Sequence, residues 1–143
     1  MIRIIACLIL ANVSSGCSYH EDPITSRASA LALEHHGEPY TWRTGGTLHA
    51  ASALDWQRAS YQNKRATVGD FISALVEQDQ LTKTDLTPDE IKLMSETMTE
   101  IINAKFRMAG TSNQNEETYR AKKVSMAVLE TVSDAGWLKE DQS

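Results

Sequence analysis

"TPDEIKLMSETMTEIINAKFRMAG", residues 87–110, is the stretch whose reading decides the fold. Thr87 offers an N-cap hydroxyl, Pro88 sits at the first helical position, and Asp89 and Glu90 put two acids in the first turn, where exposed N–H groups favour negative charge. Ile91, Met94, Met98, Ile101 and Met108 then recur at spacings of three and four, with Lys105 falling in the stripe and Gly110 closing it. A strand would repeat every second residue. This pattern repeats once per helical turn, so it predicts an amphipathic helix that must bury one face.

Reading outward toward the C-terminus, "GTSNQNEE" is polar and predicts a loop, followed by a helix from about Glu116 to Ala135. Val124, Val128, Val132 and Ala135 line one side of that helix. Gly136 suits a left-handed stop, with Trp137 folding back over the last turn. Toward the N-terminus, helical patterning is expected over residues 48–62 and 67–78. Ala50, Leu54, Tyr61, Val68, Ile72 and Leu75 share one face at 100° per residue, as though the two segments were continuous. Thr67-Val68-Gly69-Asp70 has the form of a capping box, which favours two helices broken near residues 63–66; one long helix with snorkelling Lys64 and Arg65 stays open. Asp70, Ser73 and Glu77 fall opposite the Phe71-Ile72-Leu75 stripe and read as a solvated face. A first helix, capped by Thr25-Ser26, carries Ala28, Leu31, Ala32 and His35 and ends at Gly37-Glu38-Pro39.

Stripes of this kind bury themselves only against one another, so the chain predicts an all-α bundle of about four to five helices. No interior segment has the length of a spanning helix. At 143 residues there is room for one core, and the 41% hydrophobic and 23% charged fractions are those of a globular protein. The net charge of −5 leaves no basic stripe for a phosphate backbone, so nucleic acid is not an expected partner.

The start of the chain reads as an address. Arg3 precedes the apolar run Ile4-Ile5-Ala6-Cys7-Leu8-Ile9-Leu10-Ala11, and small residues follow through Ser14-Ser15-Gly16. A positive region, a short greasy stretch and a small-residue exit are the parts of a secretion signal. Val13-Ser14-Ser15-Gly16-Cys17 resembles the lipobox of bacterial lipoproteins, with Ser14 where that family usually has Leu. The resemblance implies diacylglycerol transfer to the Cys17 sulfur, cleavage after Gly16 and acylation of the new amino group; Ser18 after the cysteine implies the outer membrane. Removing residues 1–16 takes Cys7 away, and a single remaining cysteine forms no internal disulfide. Plain secretion, into the periplasm or beyond, is the alternative. The expected organisation is a signal peptide over 1–16, a lipidated cysteine and polar tether over 17–23, and one helical domain over 24–143.

Chemistry-bearing residues are sparse. His20, the pair His35-His36 and His49 lack the spacing of zinc ligands, since adjacent helical histidines point about 100° apart. Glu34, His36, His49 and Asp55 are the one set that a small metal-dependent hydrolase would need brought together. "RTGGTLH", residues 43–49, reads as a turn and N-cap, because it lacks the lysine and further glycines of a phosphate loop. The spacing of Trp56, Ala66-Thr67 and Asp70-Phe71 is similar to a pattern in short uncharacterised bacterial helical proteins, a likeness that carries no activity. Trp42, Trp56, Met94 and Met98 are the candidate partner surface; aromatic and methionine side chains adapt to a docked helix. A secreted ligand-binding bundle with a pocket among the methionines is a further alternative. The expectation is a non-catalytic envelope lipoprotein, with no cofactor, that holds the membrane through its lipid and binds another envelope protein.

Overall fold

The computed structural model of the chain describes residues 22–34 and 42–139. The expected signal segment 1–16, Cys17 with the expected tether through residue 21, and His20, His35 and His36 lie outside the described residues. Within them the chain forms α1 (Pro23–Glu34), α2 (Ala53–Arg58), α3 (Tyr61–Glu77), α4 (Pro88–Lys105), α5 (Ser112–Tyr119) and α6 (Val124–Asp134). Two isolated antiparallel bridges, Ser52 with Lys123 and Leu81 with Leu138, are the only extended pairings among the described residues. The all-α class stands, with six described helices in place of four to five.

The boundaries follow from caps. Asp22, not Thr25-Ser26, opens α1: its carboxylate accepts from Thr25 N at 2.8 Å, and Pro23 takes the first position. The helix expected over 48–62 shrinks to α2, because Ser52 and Asp55 close a reciprocal capping box only at residue 52. The break before α3 falls at Ala59-Ser60, where the Ser60 hydroxyl accepts from Asn63 N, and not at 63–66. Ala50 and Tyr61 are consequently exposed, outside the continuous stripe expected of them. α4 begins as expected with a Thr87–Glu90 capping box but stops at Lys105. Inside the expected polar loop, Thr111 and Gln114 form a third capping box and start α5.

α3 is the hub. From Ala66 to Leu75 every residue is buried, and the helix packs between α1 and α4, with α6 touching both α3 and α4. A helix buried all round has no solvated face, so Asp70 and Ser73 are inside, contrary to the reading from the wheel. The buried side of α4 is likewise rotated from the expected stripe. Ile91, Ser95, Met98, Thr99 and Ile102 face inward, whereas Ile101 and Met108 are exposed. The hydroxyls of Ser95 and Thr99 donate to the carbonyls of Ile91 and Ser95 at 2.6 and 2.7 Å, so polar residues sit in the core without loss. A small residue is needed there because α4 approaches Gly69 so closely that a Cβ on it would lie 3.3 Å from Ser95 Oγ.

α6 is fixed at both ends. Near its start Val124 N donates to Ala51 O at 3.0 Å, and Ala53 N to Lys122 O at 2.8 Å. At its finish Trp137 N reaches Val132 O and Gly136 N reaches Ser133 O, a Schellman stop with Gly136 at φ +68. α3 ends in the same way, with Asp79 at φ 55, and the two stops join where Thr82 N donates to Trp137 O and Lys139 N to Gln80 O. Nothing lies within 4 Å of a Cβ built on Gly136, so Gly136→Ala should cost only the left-handed strain, about 1 kcal/mol. A shift in the urea midpoint measures it; no shift would mean that the helix does not end on this stop.

Candidate functional site

The most chemically distinctive place is where residues 42–49 lie across α3. His49 and Asp70 are 5% and 0% exposed, with His49 Nε2 3.0 Å from Asp70 Oδ2. The surrounding contacts are those of a loop pressed onto a helix. Leu48 N donates to Thr67 Oγ1, Thr47 N to Asn63 Oδ1, and Arg43 Nη2 to Ser73 Oγ. Two glycines allow the approach. A Cβ on Gly46 would sit 2.5 Å from Asp70 Oδ2 and 2.9 Å from Thr67 N, and one on Gly69 would meet the Trp42 ring at 2.8 Å. The His49–Asp70 hydrogen bond is therefore sealed beneath packed backbone. Its chemistry is that of a latch holding the loop to the hub helix.

The set Glu34, His36, His49 and Asp55 is not assembled. Glu34 pairs with Arg27 at 2.9 Å at the end of α1, and His36 lies outside the described residues. The Asp55 carboxylate accepts from the Ser52 hydroxyl and backbone N–H, in that order of effect, and both hold it below its ordinary carboxylate range. The acid that faces His49 is Asp70. Among the described residues no three His, Cys, Asp or Glu side chains stand close enough to share a metal ion.

The candidate partner surface also divides. Trp56 and Met98 are wholly buried, which removes them from any docking face. Trp42 is partly buried against Gly69, with the Arg43 guanidinium 5.6 Å from its ring centroid. Met94 alone lines an open groove.

Two depressions lie at opposite ends of the bundle. The first, about 250 Å³, is lined by Leu81, Leu86, Leu93, Met94 and Trp137, with Lys83 and Glu90 on its rim. It belongs to the end where α3 and α6 finish and α4 begins. The second, about 690 Å³, lies between the finish of α4 and the start of α6, lined by Lys105, Phe106, Lys122, Lys123, Met126 and Glu130. Met126 is 64% exposed there. Arg120, Lys122 and Lys123 place three cations in four residues of an acidic chain, a signal in the sequence that periodicity alone passes over. No described helix is long and apolar enough to cross a membrane.

Set beside known proteins, the chain matches no family model, no curated protein and no solved structure. The functional reading rests on the residues themselves.

Proposed function

We propose that this chain is a small bacterial envelope lipoprotein, anchored through Cys17, whose helical domain binds another envelope protein and carries no catalysis of its own. Ser18 after the anchor favours the outer membrane. The observation that carries the binding reading is the basic depression at the start of α6. It sets the cations Lys122 and Lys123 beside the exposed thioether of Met126. Such a surface suits an acidic segment with an apolar anchor residue, through charge complementarity on approach and a flexible methionine contact once docked. The acids singled out for chemistry are engaged elsewhere, Glu34 with Arg27, Asp55 in the Ser52 capping box and Asp70 with His49 in the buried latch, which supports binding over chemistry.

Two measurements test the reading. Radiolabelled palmitate should enter the full chain in a bacterial host and disappear in Cys17→Ser; label that persists in the variant overturns the anchor. A photo-crosslinking residue at position 126 should trap one discrete envelope protein, and Lys122→Glu with Lys123→Glu should reduce that adduct at least tenfold. An adduct indifferent to charge reversal overturns the surface.

A further inference from the structure

The apolar depression has a different position and a different occupant. α1 starts at Pro23, whose carbonyl accepts from the Gln78 side chain at 3.4 Å, while Arg27 pairs with Glu77. The start of α1 is thus pinned to the end of α3, three residues before Leu81 on the wall of the apolar groove. Only five peptide steps separate Cys17 from Asp22. At no more than about 3.6 Å per residue they span at most about 18 Å. A lipid on Cys17 would therefore tether the chain at this end of the bundle, with Asp22 no more than about 18 Å from the anchored cysteine.

This end carries apolar surface without an internal partner. Leu93 is 65% exposed, and beside it Leu86, Met94 and Trp137 are only partly buried. Two ion pairs flank it, Lys83 with Glu90 at 2.6 Å and Lys139 with Asp79 at 2.7 Å. A rim of paired charges around a tryptophan and exposed leucine suits the interfacial zone of a membrane, where an indole ring sits at headgroup level and lysine stems reach along apolar surface. A net charge of −5 gives no adsorption by charge, but with the acyl chains supplying residence the groove needs only to orient the domain.

We propose that the groove formed by Leu81, Leu86, Leu93, Met94 and Trp137 rests in the surface of the bilayer that holds the Cys17 lipid, so that the basic depression at the other end faces away from the membrane. The proposal rests on the lipoprotein reading above.

The test uses the full chain expressed in a bacterium, purified from its membranes and reconstituted into vesicles of phosphatidylcholine brominated near the headgroup end of its acyl chains. Bromine quenches indole fluorescence only at close range. Trp56 is wholly buried and Trp42 packs on Gly69 at mid-helix, so Trp137 should account for the quenching. Quenching should fall at least threefold in Trp137→Phe. It should fall comparably in Leu93→Glu, an exposed site whose change leaves the helical circular dichroism intact. The mass of the N-terminal peptide is read on the same sample. An acylated Cys17 with no quenching by the brominated lipid overturns the orientation and leaves the anchor standing; an unacylated Cys17 overturns both. Quenching retained in Leu93→Glu also overturns the groove as the contact.

Discussion

Asp70→Ala is expected to destabilise the domain by about 3 kcal/mol, read as a lowered urea midpoint with an unchanged slope. The carboxyl is fully buried, and His49, also buried, directs Nε2 at it from 3.0 Å. Removing one partner leaves a buried imidazole with its hydrogen bond unmade, a larger loss than removing both would be. The change also opens space beneath Gly46, whose backbone rests on the carboxyl oxygen. Asp70→Asn, which keeps an acceptor oxygen, should cost less than half as much. In a double-mutant cycle with His49→Ala, the two losses should fall short of additive by at least 1 kcal/mol. A solvated aspartate would behave differently: exposed substitutions stay within about 0.5 kcal/mol. A loss that small would place Asp70 on the surface and separate residues 42–49 from α3.

Asp70 also shows where the sequence could be read and where it could not. Local chemistry was legible. The Thr87-Pro88-Asp89-Glu90 start of α4 and the Gly136 stop of α6 are determined by neighbours within a few residues, and the structure places both as expected. The all-α class followed from periodicity alone. Misreadings arose wherever tertiary contact decided. Asp70 and Ser73 interrupt the apolar pattern of α3, yet are buried because residues 42–49 bring hydrogen-bonding groups to meet them. Ser95 and Thr99 disguise the buried side of α4 because each hydroxyl is satisfied by its own helix. Ile101, apolar and in the expected stripe, is exposed instead. Ser52 and Ser60 are caps present in the sequence, but Thr67-Val68-Gly69-Asp70 has the form of a capping box too and draws the expected break to residues 63–66, whereas Asp70 instead meets His49 inside a continuous α3. As for the sites, Met94 was found on an open groove, while the basic run at residues 120–123 was missed because charge clustering carries no period.

Trp56→Ala separates a docking surface from a core, with an expected loss of about 4 kcal/mol against a total stability of about 5–15 kcal/mol for a domain of this kind. The indole is wholly buried, with Phe106 edge-on at 6.4 Å between centroids and Tyr119 in turn edge-on to Phe106 at 6.2 Å. Its Nε1–H donates to Asn103 Oδ1 at 3.0 Å, tying α2 to α4. The Lys64 ammonium stands 5.6 Å from the ring centroid and donates to the same Asn103 oxygen at 3.2 Å; burial there pushes the lysine below its ordinary value. α2 is only 6 residues long and has no stability of its own, so this side chain holds it in place. Loss of the indole should therefore free α2 and loosen its contact with α5 before the hub of α3 gives way. Hydrogen exchange in Trp56→Ala should rise most at the amides of Trp56 and Ala59, whose acceptors are Ser52 O and Trp56 O. Trp56→Phe should recover most of the loss, leaving about 1–2 kcal/mol, because Asn103 keeps Lys64 as a donor when the indole N–H is gone. A binding hot spot on the surface would give the opposite pattern, with normal stability and a lost adduct at position 126, and that outcome would take Trp56 out of the core.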